Sequence, residues 1–274
     1  MMSRNRLTGA LGRGELVRVL PDLYSLAMHT DSRQVRARAA SRWAPAGSAV
    51  TGRAALVEWG VLGEGAEEVG LVVPRGCHRS VVPWLHVTSQ TVPCERFDAG
   101  AGLTLVGPAD ALIHAFAREP HRTRADLVYR ACANGVSAER AIAHLDRLPR
   151  ARGRRALLGM LGLAAKGVES YLEERAVTRV FTGDAFASVI LQHRVRVAGQ
   201  SFRIDAFHAK SGTAFEVDGD GSHSDAAAQR RDRRRDALLA TRGVLTVRFS
   251  FVDVMNRPDW CRAVALDVLK RRST

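Results

Sequence analysis

Residues 189–218 carry three successive runs of strand-forming residues: Val189–Val197 (VILQHRVRV), Phe202–His208 (FRIDAFH) and Thr213–Asp218 (TAFEVD). The runs are separated only by Ala198-Gly199-Gln200-Ser201 and by Ala209 with the turn Lys210-Ser211-Gly212. Connections this short join strands as hairpins, because a parallel crossover needs about a dozen residues or more. An amphipathic helix is expected before them over 168–181, with Val168, Leu172 and Ala176 on one face. After them come a helix over about 224–242 stopped by Gly243, a strand Val244–Phe249, and a last helix over about 258–271. The C-terminal third therefore reads as α-β-β-β-α-β-α, an α/β (α+β) arrangement.

The other two thirds are less regular. Leu16 and Val17 open a β-type run that turns at Pro21-Asp22. Residues 31–44 read as a helix capped by Asp31 or Ser32. Between 48 and 106, short apolar runs (Val69–Val73, Val81–Val87, Leu103–Val106) alternate with Gly, Pro and Ser and read as strands and loops. A helical region follows from about 109 to 166, with breaks near Pro120, Gly135 and Pro149 and a helix start at Ser137. A length of 274 residues suits two domains at roughly 100–200 residues each. The basic joint Arg150–Arg155 suggests a division into 1–160 and 161–274.

With 46% hydrophobic and 25% charged residues, the chain is neither disordered nor collagen-like nor a membrane bundle. No run of about 18 apolar residues occurs and no signal-type apolar core precedes Arg13, so no membrane partner is expected and a cytoplasmic location is. Cys77, Cys94, Cys132 and Cys261 form no CxxC pair and have no zinc-finger spacing, in keeping with thiols in a reducing compartment. His78, His114 and His144 are among several scattered histidines read as structural or surface residues. The net charge of +13 is almost all arginine, since only Lys166, Lys210 and Lys270 are lysines. Taken over the whole chain it reflects an Arg/Ala bias and argues only weakly for a polyanionic partner.

Chemistry gathers in the three-strand segment. Side chains alternate along a strand, so Asp205 is expected to share a face with Arg203 and Phe207, and Glu216 with Asp218. The hairpin would bring Asp205 beside Glu216 or Asp218. Three converging carboxylates repel one another unless a cation neutralises them. An all-oxygen set of this kind suits Mg2+ or Mn2+, which can activate water for phosphodiester hydrolysis. The alternative is a solvated polar face with acidic strand ends. Gln229–Asp236 (QRRDRRRD) offers Arg230, Arg231 and Arg234 as DNA-contact candidates. Asp232 and Arg235 are expected in internal polar contacts, or Asp232 and Asp236 in pairs with arginines one turn away. Arg248, in an otherwise apolar strand, is expected to be a buried charge partner of the acids.

The set Ser170-Tyr171-Leu172-Glu173, Gln192, Arg203-Ile204-Asp205, Phe215-Glu216-Val217-Asp218-Gly219, His223, Asp232, Arg235-Asp236, Leu239, Gly243 and Val247-Arg248-Phe249 resembles the very-short-patch-repair-endonuclease-like domains of the PD-(D/E)XK nuclease superfamily over about residues 167–255. The resemblance implies a restriction-endonuclease-like α-β-β-β-α-β core. In it Glu173 matches the first-motif acid, Asp205 the central metal-binding aspartate, Glu216 the third-motif acid, and His223 a histidine near the active centre. The chain departs from the superfamily at Asp218, where a lysine is usual; the only nearby lysine, Lys210, lies in the hairpin turn. Arg13–Tyr24 is similar to the wing of the winged-helix module of type IV antitoxins, with the two helices that precede such a wing reduced to Ser3–Leu11. The N-terminal half is thus expected to be a mixed α/β, antitoxin-like domain with a partial winged helix. The reading that follows is a Mg2+-dependent DNA endonuclease with Glu173, Asp205, Glu216, Asp218 and His223 at its centre; DNA is the expected partner and a homodimer is compatible with it. The alternatives are a DNA-binding, antitoxin-like regulator with a catalytically idle nuclease fold, and a nuclease acting on RNA or branched intermediates.

Overall fold

The structure, a computed structural model, describes residues 3–63, 68–76, 82–89, 92–219 and 226–273. The fold is mixed α+β and divides into two compact units, Met1–Gly162 and Leu163–Thr274. Among the described residues no helix is long and apolar enough to cross a membrane.

The first unit opens with α1 (Arg4–Gly12), the hairpin β1 (Leu16–Leu20) and β2 (Leu23–Leu26), and α2 (Arg33–Trp43). Asp22 makes the hairpin turn in the left-handed region, at φ +59°. Next come β3 (Ala49–Thr51), α3 (Gly52–Glu58), β4 (Val69–Val73), β5 (Leu85–Ser89), β6 (Arg96–Asp98) and β7 (Thr104–Val106). β3 to β7 form a mixed sheet in the order β5-β4-β3-β7-β6. Gly70 lets β3 and β4 close up, because a Cβ there would lie 2.9 Å from the Thr51 carbonyl oxygen. The unit is completed by α4 (Pro108–Arg118), α5 (Arg124–Ala133), α6 (Ala138–Asp146) and residues 154–162 of α7 (Arg154–Ala164). α4 starts with Pro at its first turn and buries Ala109 to Ile113, Ala115 and Phe116. Ser137 caps α6 by accepting from the Arg140 N–H at 3.1 Å.

Two expectations change here. The region read as strands and loops also contains α3, whose buried Ala54, Ala55 and Leu56 form a run too short to show a helical period. The expected strand at Val81–Val87 lies at Leu85–Ser89, after the Pro83-Trp84 turn; Val81 is outside the described residues. Cys77 and His78 also lie outside them.

The second unit runs α8 (Tyr171–Arg175), β8 (Val189–Val197), β9 (Gln200–His208), β10 (Thr213–Asp218), α9 (Ala226–Ala240), β11 (Leu245–Ser250), α10 (Phe251–Asn256) and α11 (Pro258–Arg272). The long helix expected over 168–181 is a short α8 followed by one π-helical turn, Ala176–Val180. The β8–β9 hairpin closes on two residues rather than four. Ala198 and Gly199 take φ +49° and +79°, as a primed turn requires, and Val197 pairs with Gln200. The sheet order is β11-β10-β9-β8, antiparallel except for β10 and β11, which are parallel and joined through α9. α10 was not expected. Its start is a capping box in which Ser250 Oγ accepts from the Asp253 N–H at 3.2 Å and donates to Asp253 Oδ2 at 2.6 Å.

Two apolar clusters hold this unit. Phe215, Phe249, Ala206 and Val180 pack with Val254, Cys261, Ala265 and Leu269 of α10 and α11. Ile204, Ala214 and Val197 pack with Leu239 of α9 and Val244. Burying a Phe or Leu at such positions stabilises by about 1.5–3 kcal/mol each. Leu239 also fixes which face of α9 meets the sheet, and that face carries Arg235 and Asp236 one turn earlier.

Candidate functional site

Phe215 pairs with Ala206 across β9 and β10, so Glu216 and Asp205 occupy the next positions along the two strands. The Val217 N–H donates to Asp205 Oδ2 at 3.1 Å, holding that carboxylate against β10. Glu216 is only 4% exposed. Burial, then the charge of Asp205, pushes its carboxyl up to about 8, although Arg235 and Arg248 pull the other way. Burial also raises Asp205, against the Val217 hydrogen bond and the positive charges of Arg235 and Arg203. Glu173 is raised too, by burial and, more weakly, by Asp205; the Glu169 N–H opposes the shift. Three acids are thus electrostatically coupled, and all three are shifted toward the neutral form.

Two arginines meet the acids. Arg235 Nη2 donates to Glu216 Oε1 and to the Arg203 carbonyl, the latter at 2.6 Å. Arg248, beside Glu216 in the parallel ladder, bridges Asp218 Oδ1 at 3.1 Å and Asp236 Oδ1 at 3.1 Å. Burial works against the Arg248 charge, but Asp236, Asp218 and Glu216 outweigh it, and the guanidinium is held charged. Asp236 therefore pairs with β11 and not with a neighbouring arginine of its own helix.

Glu173 closes a capping box on α8. Ser170 Oγ accepts from the Glu173 N–H and donates to Glu173 Oε1, each at 3.1 Å. Glu173 Oε2 accepts from the Glu169 N–H and from Gln192 Nε2, each at 2.9 Å. Gln192 has φ +52°, unusual for a residue other than Gly. The β8–β9 ladder passes from Leu191↔Ala206 to His193↔Ile204 and skips Gln192 and Asp205. Strict alternation accordingly fails at Asp205: Ile204 belongs to the cluster with Leu239, and Ala206 to the cluster with Phe249. The expected common face for Arg203, Asp205 and Phe207 does not hold through this break. Such local strain persists where the surroundings over-determine it, commonly at functional sites. Gln192 Oε1 is buried without a hydrogen-bond partner among the described residues.

The sequence-derived residues thus separate into groups. Glu173, Asp205 and Glu216 come together. Asp218 is turned into an ion pair with Arg248. His223 lies outside the described residues. Arg230, Arg231 and Arg234 are exposed on α9, with no hydrogen bond or ion pair among the described residues. Asp232 likewise makes no polar contact among them, contrary to expectation: it shares the stripe of Arg235, Asp236 and Leu239 but lies one turn nearer the helix start, where no described side chain bonds it. Lys210 is exposed in its turn. The positioning role of Gln192 was not read from sequence, where the residue stood only as one member of the resemblance and as a lone amide inside a strand of apolar and basic residues.

Among the described residues no group of three or more His, Cys, Asp or Glu is arranged to hold a metal ion. A smaller oxygen set is present. Asp205 Oδ1 and Glu216 Oε2 have no hydrogen-bond partner among the described residues. Two coupled carboxyls, both shifted toward the neutral form and each with an open hard-oxygen atom, fit a divalent cation such as Mg2+ or Mn2+, whose charge would resolve their repulsion. The chain matches no family model and no curated protein.

Proposed function

We propose that the second unit is a Mg2+- or Mn2+-dependent DNA endonuclease with a restriction-endonuclease-like core, centred on Asp205 and Glu216. The observation that carries this reading is the buried Asp205–Glu216 pair, with one open oxygen on each acid and Glu216 pushed up to about 8. Burial of two coupled acids is unfavourable without a counter-charge, and the two open oxygens supply the donors for one. A bound divalent cation would supply charge for the scissile phosphate and acidify a water. Asp205 is positioned for this by the Val217 N–H, and Glu216 by Arg235. Gln192 and Ser170 orient Glu173 beside the pair, where it can hold a water or receive its proton. The exposed arginines of α9 present positive charge to a phosphate backbone.

A second reading, a DNA-binding regulator with an idle nuclease fold, is favoured by Arg235 on Glu216 and Arg248 on Asp218. In that reading the two guanidinium groups are the permanent counter-charges of the acids. Supercoiled plasmid incubated with wild type and with Asp205→Asn in Mg2+ or Mn2+ separates the readings. The nuclease reading expects nicked or linear product from wild type only. Metal-independent DNA binding without cleavage by either protein supports the second reading and removes the first.

A further inference from the structure

Arg235 and Arg248 both meet the acidic centre, but they differ in what they have left to give. Arg248 spends its guanidinium inside the protein. Its Nε and Nη2 donate to the two oxygens of Asp236 at 3.3 and 3.1 Å, and its Nη1 to Asp218 Oδ1 at 3.1 Å. Arg235 engages Nη2 alone, on Glu216 Oε1 and on the Arg203 carbonyl of β9. Its Nε is closed off and unpartnered among the described residues, so it can meet no ligand. Its Nη1 also makes no hydrogen bond among them but is not closed off, and the side chain keeps 19% of its surface open. A guanidinium anchored to β9 and β10 through one nitrogen and open at the other is a preorganised donor for an oxyanion.

That donor stands beside the proposed cation site. Nη1 shares its carbon with the nitrogen on Glu216. Burial raises both Asp205 and Glu216, and Arg235 is among the charges that pull each back. The cation would use Asp205 Oδ1 and Glu216 Oε2, the oxygens that Arg235 leaves open. Arg235 therefore does not fill the place of the cation but repels it, because two positive groups then share one carboxylate. An anion that touches both relieves the repulsion. We propose that Arg235 contacts the DNA backbone, Nη2 staying on Glu216 while Nη1 donates to a non-bridging oxygen of the phosphate held at the acidic pair. This role rests on the nuclease reading. It makes the divalent cation and DNA each strengthen the binding of the other, by a factor that depends on Arg235.

The test is fluorescence anisotropy of a labelled duplex with the full chain at 4 °C, in chelator and in saturating Mn2+ at constant ionic strength, the duplex being verified intact on a gel. Mn2+ paramagnetic resonance of the DNA-free proteins accompanies it. Asp205→Asn, which lacks the cation site, measures the screening of DNA by Mn2+ alone. Relative to that control, Mn2+ is expected to tighten DNA binding by wild type at least about tenfold, and by Arg235→Gln less than about threefold. Without DNA, Arg235→Gln, whose amide can still donate to Glu216, is expected to bind Mn2+ at least about threefold more tightly than wild type. A purely structural arginine would do the reverse, since its loss would misplace the acids. Arg235→Lys keeps the charge but not the planar fork that spans both partners, so its gain is also expected to fall below about threefold; it keeps the test decisive should Arg235→Gln fold poorly. The full wild-type gain in either variant, or weaker Mn2+ binding by Arg235→Gln, overturns the proposal and leaves the nuclease reading standing. A wild type that binds no Mn2+ overturns both.

Discussion

Glu216→Gln isolates the electrostatic strain of the acidic pair. Folding moves the Glu216 carboxyl from 4.5 to about 8, so its folded form holds a proton that the unfolded chain has released. For a carboxyl raised on folding, the stabilising contribution is fully present below about pH 4.5, is lost as pH rises to about 8, and is flat beyond. At about 1.4 kcal/mol per pH unit this amounts to a loss on the order of 5 kcal/mol between those limits in metal-free protein. Asp205 and Glu173 are raised as well and add to the loss with the same sign. Gln mimics the protonated acid and does not titrate. Wild type and Glu216→Gln are therefore expected to have similar stability near pH 5, and the variant to be more stable by several kcal/mol at pH 9. Urea unfolding in chelator between pH 5 and 9.5 measures this, with fluorotryptophan NMR at Trp260, which packs edge-on to Phe249, reporting the second unit. Parallel pH curves for the two proteins, or a wild type that gains stability relative to the variant as pH rises, would refute the reasoning.

Three further outcomes are expected. Replacing Arg230, Arg231 and Arg234 together with Gln should weaken DNA binding across all sequences and reduce the slope of log K against log salt by about 2–3 units, measured by fluorescence anisotropy at several salt concentrations; an unchanged slope would place those arginines off the DNA. Gln192→Gly relieves the φ +52° backbone but removes the amide from Glu173, so plasmid cleavage should fall at least about tenfold while the melting temperature stays the same or rises; cleavage at the wild-type rate would make Gln192 purely structural. Arg248→Gln strips Asp218 and Asp236 of their shared partner and should cost about 1–2 kcal/mol in urea unfolding, a modest value because all three side chains are about one-third exposed or less. A change within about 0.3 kcal/mol would show the bridge to be energetically idle.

Strand positions in the second unit were legible because β-branched and aromatic runs stop at turn residues. β8 and β10 occupy the expected Val189–Val197 and Thr213–Asp218, and Gly243 ends α9's region at φ +73°. That Asp205 would fall beside Glu216 or Asp218 was legible from the short Lys210-Ser211-Gly212 connection, and the register Phe215↔Ala206 is what selects Glu216. What escaped depends on geometry that alternation does not encode. Asp218 lies on the face of Glu216 and its charge acts on both Asp205 and Glu216, but its carboxylate is taken up in an ion pair with Arg248. The left-handed backbone of Gln192 breaks the ladder at Asp205 and has no local residue signal, since Gly or Asn is the usual occupant of that region. The arginine-rich helix was ambiguous for another reason. All its inward and outward basic residues look alike in sequence, and only the anchoring of Leu239 decides that Arg235 faces Glu216 while Arg230, Arg231 and Arg234 face solvent. α3 in the first unit and α10 in the second, seven and six residues long, fall below the length at which periodicity becomes visible.

The central claim is that Asp205 and Glu216 together hold a divalent cation. Electron paramagnetic resonance of Mn2+ titrated with the full chain at pH 7.5 measures this directly, because bound Mn2+ loses the sharp signal of the free ion. The account predicts saturable binding by wild type, at least about tenfold weaker in both Asp205→Asn and Glu216→Gln, with folding of the variants verified by circular dichroism. Wild type that leaves the free-ion signal unchanged, or variants that bind as tightly as wild type, would contradict it.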